Sequence, residues 1–452
     1  MSSILERYEA QHPGSRRLAA RAGRLFPTGV THDLRAFSPF PLYVERAEGA
    51  RKWDVDGHEL VDYIGGHGAL LLGHNRPEVM EASRRALAEG THFGSSHLRE
   101  VEWAEQVLAM VPCAERLRFT SSGTEATMMA LRLARAYTGR EHVVKLAEHF
   151  HGWHDLVTGR ATADDPRPGS PGVPEGFFDS LTVLPSGDEA ALRERLAARD
   201  VAAVIVEPTG AHWGRHPLPA SYLHAARDAA AETGALLILD EVITGFRVAP
   251  GGAQERFGLV PDLSTHAKIL AGGLPGGCVT GRSEVLSMLE MRDGDADWNR
   301  RLRVHHPGTF NANPVSAAAG TAALRLIQAG EETLRADESC SRLVRELNAL
   351  FAELDAPASA WGLSSMWHLN LGAPGAGPVH RPADVEWDAP GDPPGVDSEL
   401  EQPLKCALAT HGVDLMGTGG MVSSAHGDAD IDRTLEAFRR SLGDLRAEGL
   451  LA

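Results

Sequence analysis

The chain has 452 residues, of which 43% are hydrophobic and 23% charged, and a formal net charge of -17. This is the make-up of a globular protein with room for two domains around a large core. The acidic balance argues against nucleic-acid or membrane-surface partners, although a local basic pocket can sit inside an acidic protein. Four scattered cysteines (Cys113, Cys278, Cys340, Cys406) without a CxxC pair, an N-terminus without an apolar signal core and the lack of a membrane-length apolar run predict a soluble cytoplasmic protein.

In chain order, residues 1–40 read as a helix followed by an irregular arm, then short strands at Tyr43-Val44-Glu45 and Lys52-Trp53-Asp54-Val55. Gly65-Gly66-His67-Gly68 and Gly73-His74-Asn75-Arg76-Pro77 are loop signals, with a helix beginning near Pro77-Glu78. From about residue 100 to 320, helices alternate with short, nearly continuous apolar runs. The runs predict strands at Arg116–Thr120, His142–Leu146, Val201–Val206, Ala235–Asp240 and Gly277–Gly281, and a helix over Ser221–Thr233. Such runs suit strands covered on both faces, so the spacing predicts an α/β fold with a mostly parallel central sheet wrapped by helices. Residues 372–397, rich in Pro, Gly and Asp, read as a long loop within a smaller C-terminal α+β unit. The closing helix, Asp430–Glu448, carries Ile431, Leu435, Phe438, Leu442 and Leu445 at helical spacing.

Chemistry concentrates at a few points. Only four lysines occur (Lys52, Lys145, Lys268, Lys405), and Lys268 lies among apolar residues and glycines, 28 residues after Asp240. A lysine drawn into an apolar pocket loses some preference for its proton and becomes a nucleophile towards a carbonyl, which arginine cannot do at neutral pH. Lys268 thus points to Schiff-base chemistry, although a lysine before a turn can also sit at the surface. Phe119-Thr120-Ser121-Ser122-Gly123-Thr124-Glu125-Ala126 reads as a strand end, a small-residue turn and a helix start. It is either a phosphate cup or an ordinary capped helix. Asp240 ends a buried run, where open α/β sheets place ligands; it either pairs with a protonated ring nitrogen or is a satisfied strand-end acid. His149-Phe150-His151-Gly152-Trp153-His154 lacks zinc-site register, so no metal is expected and Phe150 reads better as a plate stacked on a flat cofactor. Gly308 and Thr309, in a turn before a helix near Pro314, are further candidate phosphate donors.

Taken together and in order, Ser122–Ala126, Phe150-His151-Gly152, Glu207-Pro208, Asp240–Arg247, Lys268 and Gly308-Thr309-Phe310 resemble the class III pyridoxal-phosphate aminotransferases of fold type I. Within that family the chain is most similar to glutamate-1-semialdehyde aminomutases and D-phenylglycine aminotransferases. The resemblance implies a pyridoxal 5'-phosphate cofactor and a homodimer with active sites at the subunit interface. It divides the chain into an arm and part of a small domain (1–60), a large cofactor-binding domain (61–324) and a C-terminal small α+β domain (325–452). Lys268 is implied as the Schiff-base lysine and proton shuttle, and Asp240 as partner of the pyridine nitrogen. Phe150 and Val242 flank the ring, and Ser122, Gly123 and Thr124 hold the phosphate with Thr309 of the other subunit. His151 and Glu207 complete the cofactor site.

On the substrate side, the segment Val30–Phe37 resembles the one whose arginine binds a substrate carboxylate. Arg35 is thereby implied as the clamp, and His67 and His212 as pocket residues of the D-phenylglycine type. The Gly412–Ser424 stretch is shorter than in the aminomutase and lacks its pocket glutamate. That departure favours an aminotransferase exchanging an amino acid and a keto acid over an intramolecular aminomutase. A non-catalytic cofactor-binding protein is the least favoured reading, since Lys268 and Asp240 are both present.

Overall fold

The computed structural model describes residues 3–158, 170–372 and 395–451. Most of the Pro- and Gly-rich loop expected at 372–397 lies outside them. The chain forms two compact units: one holds residues 77–333 and the other the segments before 77 and after 333, within the described residues.

The 77–333 unit is built on a seven-stranded sheet: β1 (Arg116–Thr120), β2 (His142–Leu146), β3 (Leu181–Leu184), β4 (Val201–Val206), β5 (Leu236–Asp240), β6 (Leu263–His266) and β7 (Gly277–Gly281). The spatial order is β1-β7-β6-β5-β4-β2-β3, with β7 antiparallel to both neighbours and every other pairing parallel. Alternation along the strands explains the continuous apolar runs. Ala203, Ile205 and Ile238 face the Gly123–Thr138 helix through Met129, Ala130 and Leu133. Val204, Val206, Leu237 and Leu239 face the Ala220–Thr233 helix through Leu223, Ala226 and Ala230. With both faces covered, every second residue must be apolar on each side, and burial contributes about 1.5–3 kcal/mol per large side chain.

Two strands, β3 and β6, do not stand out in the sequence. β3 is a four-residue edge strand, and β6 reads Leu-Ser-Thr-His, too polar to register as a core run. Its polar side chains are nonetheless buried: Ser264 Oγ lies 2.9 Å from His266 Nε2, and Thr265 Oγ1 donates to Asp240 Oδ1 at 3.0 Å. The strand expected from Ala235 starts at Leu236, and the N-terminal segment forms two helices, Ile4–Gln11 and Pro13–Ala22, rather than one.

The other unit has a four-stranded sheet (Val44–Glu48, Arg51–Asp54, Glu59–Asp62, Val413–Asp414) and a three-stranded antiparallel sheet (Ala358–Leu363, Met366–Leu371, Gly419–Met421). Its closing helix, Asp428–Ala447, buries Ile431, Phe438, Leu442 and Leu445 against a core that includes Tyr8, Leu60, Tyr63 and Trp367. No described helix is long and apolar enough to cross a membrane.

A buried charge cluster anchors this unit. Lys52 Nζ lies 2.7 Å from both Asp62 Oδ1 and Asp414 Oδ2, and His74 Nε2 lies 2.7 Å from Asp62 Oδ2. Burial pushes the Asp62 carboxyl up, but Lys52 and His74 outweigh it and hold it well below the usual carboxylate range. Lys52→Met leaves the buried Asp62 and the half-buried Asp414 carboxylates without their shared cation. It is expected to cost about 3–5 kcal/mol in urea unfolding, the usual penalty for breaking a buried pair on one side.

Candidate active site

The turns after the parallel strands bring the candidate residues together, as the carboxyl ends of open α/β sheets do. After β1, Ser122 caps the Gly123–Thr138 helix, its Oγ accepting from Glu125 N. The first-turn N–H groups have no acceptor within a helix and carry its positive end, a setting made for a phosphate. After β5 comes Asp240. After β6, Ala267 leads into Lys268, which opens a single 3-10 turn, Lys268–Ala271.

Two glycines measure how closely these turns approach. A methyl group added at Gly123 would lie 3.0 Å from Val242 Cγ2 and 3.4 Å from Ala267 Cβ, so the helix start, the end of β5 and the Lys268 turn converge. At Gly152, φ is +102°, and an added methyl would lie 3.0 Å from Thr124 Cα. Only glycine lets the segment after β2 lie against the helix start. Thr127 Oγ1 also donates to His151 O at 2.6 Å, tying that segment to the same helix.

Asp240 is held on all sides. His151 Nδ1 lies 2.7 Å from Oδ2, while Thr265 Oγ1 (3.0 Å) and Val242 N (3.2 Å) donate to Oδ1. Burial lowers the His151 imidazole from its ordinary value, against the pull of Asp240. The neutral ring therefore donates Nδ1–H to the carboxylate. Glu207 accepts from Phe150 N at 2.7 Å, and burial, with a smaller push from Asp240, raises its carboxyl to about 8 despite that bond and two nearby lysines. At neutral pH Glu207 thus mostly carries a proton. Burial also lowers the Lys268 amine, with Asp240 and Glu207 pulling the other way and Arg247 adding to the drop. That is the direction a nucleophilic amine requires.

Backbone strain gathers in the same turns. Glu148, His212, Trp213, Phe246 and Lys268 all have φ between +47° and +63°, a left-handed conformation that costs a non-glycine residue on the order of 1 kcal/mol. Each follows the carboxyl end of a parallel strand, where the surrounding packing dictates the backbone.

Ser122, Gly123, Thr124, Phe150, His151, Glu207, His212, Asp240, Val242 and Lys268 all belong to the 77–333 unit. His212 Nε2 approaches Glu148 Oε2 to 3.9 Å. Phe150 is 58% exposed, leaving much of its ring uncovered by the chain's own side chains. Thr309 is exposed, and its carbonyl lies 2.6 Å from His92 Nε2. Arg35 and His67 belong to the other unit.

Three contributors escape a reading of the sequence. Thr265, which pairs in register with Asp240, lies on the unrecognised strand β6; a hydroxyl residue three positions before Lys268 was the available signal. Trp103 stacks on Phe119 at 4.1 Å and donates to Leu270 O at 3.0 Å, bracing the Lys268 turn. Lys145 is buried within β2, and burial lowers its amine to about 8. Nothing local distinguishes either of the last two from an ordinary core tryptophan or a strand lysine.

Comparison with known proteins gives the family. Residues 35–370 match the family model for aminotransferase class-III. A glutamate-1-semialdehyde 2,1-aminomutase from Methanopyrus kandleri is 38% identical over 446 residues, covering 97% of this chain and 99% of that one. A transaminase solved with PLP bound superposes with a TM-score of 0.85 at 32% identity, covering 97% of this chain and 99% of that one. A beta-phenylalanine aminotransferase from Variovorax paradoxus does so with a TM-score of 0.84 at 31% identity, covering 99% and 97%.

The residues present fit pyridoxal 5'-phosphate. They offer a helix start open to an anion, an anchored carboxylate, a buried amine and an uncovered aromatic face, all on turns from one edge of the sheet. Gly152→Ala should disturb the contact with Thr124 and weaken cofactor binding about tenfold, read by fluorescence titration of the cofactor-free protein; unchanged affinity would show that the close approach does not matter. The chain therefore belongs to the class III aminotransferases, enzymes of fold type I that work with pyridoxal 5'-phosphate.

Proposed function

We propose that the protein moves an amino group from an amino acid donor to a keto acid acceptor, with Lys268 as the catalytic amine. The observation that carries this reading is the buried, lowered Lys268 amine held in a strained turn beside the anchored Asp240 carboxylate. Bound pyridoxal phosphate supplies an aldehyde that accepts the amino group and a ring that takes up the electron pair released at the substrate carbon.

Asp240 keeps a proton on the ring nitrogen, and His151 and Thr265 keep Asp240 in place. Phe150 and Val242 flank the ring. Ser122 and the N–H groups at Gly123 and Thr124 receive the phosphate. Glu207 fixes the Phe150 backbone. Lys268 carries a proton between the substrate carbon and C4' of the cofactor. Arg35 receives the substrate carboxylate, because a guanidinium fork matches it with two parallel hydrogen bonds, and His67 and His212 line the substrate side.

The assembly in this reading is a homodimer, with Thr309 reaching the phosphate of the neighbouring subunit. Support comes from the large apolar side chains that the 77–333 unit leaves exposed. Phe93, Leu98, Val101 and Phe310 are each at least 41% exposed, the kind of surface a partner covers.

An intramolecular aminomutase is the second reading, favoured by the 38% identity to a protein of that activity across nearly the whole chain. Against it stands the stretch from Gly412 to Ser424. Its one carboxylate, Asp414, is taken up by Lys52 at 2.7 Å, so the stretch offers no acid to a substrate.

The two readings separate in a half-reaction experiment. Loaded protein is mixed with single donors (D- and L-arylglycines, glutamate, alanine) and no acceptor, while cofactor absorbance is followed. A change with one donor that a keto acid reverses supports two-substrate exchange; product from glutamate 1-semialdehyde without any second substrate supports the mutase.

Lys268→Ala should bind the cofactor yet lose at least about 10²–10⁴-fold in kcat, the usual worth of a positioned acid–base group; normal turnover would sink the assignment. Arg35→Ala should raise KM for carboxylate-bearing substrates about 10- to 100-fold, as expected for loss of a charge-assisted hydrogen bond, with a much smaller effect on amines that lack a carboxylate.

A further inference from the structure

Arg35 sits on an exposed turn, and residues 31–36 have little packing of their own. The turn is stitched together locally. His32 Nδ1 accepts from Leu34 N at 3.1 Å, His32 O accepts from Arg35 N at 2.9 Å, and Arg35 Nη1 donates to Thr31 Oγ1 at 3.1 Å. These bonds shape the turn but fix it to nothing outside itself.

Just beyond the turn, Phe37 packs against the core of the unit; within it, a ring stack makes the contact. The His32 and His67 imidazoles lie nearly parallel, with centroids 4.9 Å apart and an interplanar angle of 13°. His67, by contrast, sits on a rigid base. It belongs to a left-handed turn in which Gly65, Gly66, His67 and Gly68 all have φ between +50° and +85°. The start of that turn is pinned by Asp62, whose carboxylate accepts from Ile64 N at 3.0 Å and from Gly65 N at 3.2 Å. Asp62 is in turn locked by Lys52 and His74.

We infer that His32 is a positioning residue that uses one ring for two tasks, shaping the Arg35 turn through its Nδ1 and docking that turn on the His67 segment through its face. The inference rests on the reading of Arg35 as the carboxylate clamp. An exposed arginine on an undocked turn must lose its mobility each time a substrate binds. The stack removes part of that cost beforehand, which is how preorganisation raises affinity. His32 therefore acts on substrate capture rather than on the proton transfers at Lys268.

The test is steady-state kinetics on the holoenzyme with a carboxylate-bearing donor. His32→Ala is expected to raise KM about 3- to 10-fold with kcat changed less than about twofold, in line with the modest worth of an aromatic pair. His32→Phe keeps the stacking face and His32→Asn keeps the acceptor for Leu34 N. The first should restore most of the wild-type KM and the second only part. In the Arg35→Ala background, His32→Ala should add nothing further, because two residues acting as one unit are not additive.

If Arg35→Ala raises KM but His32→Ala does not, the positioning role is overturned while the clamp stands. If His32→Ala raises KM equally in both backgrounds, His32 does not act through Arg35 and the inference fails. If Arg35→Ala itself leaves KM unchanged, the clamp falls and the role of His32 falls with it. Melting temperature and cofactor absorbance of each variant are measured alongside. A KM rise matched by cofactor loss would also overturn the inference, since it would report a structural defect.

Discussion

The catalytic unit depends on the way Asp240 is held. Its carboxylate lies at the end of a buried strand, and its donors come from three places: the segment after β2, the neighbouring strand β6 and its own following turn. A buried carboxylate is costly unless it is hydrogen-bonded. The parallel sheet meets that requirement by setting Thr265 directly opposite Asp240 in register. The same register fixes where β6 ends, and so where Lys268 begins. The carboxylate and the amine are therefore placed by one set of strand pairings.

Around that centre, close contacts substitute for large side chains. Gly123 and Gly152 let four segments that follow strands approach to van der Waals distance, and five non-glycine residues after the parallel strands accept a left-handed backbone. Strain of this kind survives only where packing overrides local preference. Trp103 supplies part of that packing through its stack on Phe119 and its bond to Leu270 O. The candidate site is thus preorganised by the scaffold around it.

The second unit solves a different problem. Its sheets carry a buried cation between two acids, and the Asp62 end of that cluster sets the turn containing His67. The Arg35 turn is exposed and joined to the His67 segment by a pair of stacked imidazoles. Charge pairing in the interior and a modest contact at the surface together give a graded support, rigid at its base and adjustable at its tip. That gradation suits the clamp role proposed for Arg35.

Much of this was legible in the residues. The short apolar runs of β1, β2, β4, β5 and β7 reveal themselves because both faces of the sheet are covered, so that alternation disappears. Lys268 and Asp240 stand out because a lone lysine among apolar residues and an acid closing an apolar run are chemically conspicuous. The family resemblance rests on the same local segments, which the match over residues 35–370 bears out. Strand β6 does not show in the sequence because three of its four side chains are polar, and Thr265 finds its partner, Asp240, only once β6 lies beside β5. The hold of Thr265 on Asp240, the bracing by Trp103, the capture of Asp414 by Lys52 and the stacking of His32 on His67 join residues from 25 to more than 300 positions apart. Periodicity and spacing report only what a residue does for its own helix, strand or turn. Which distant groups satisfy each buried charge is decided when the strands take their order, and that is a property of the tertiary structure alone.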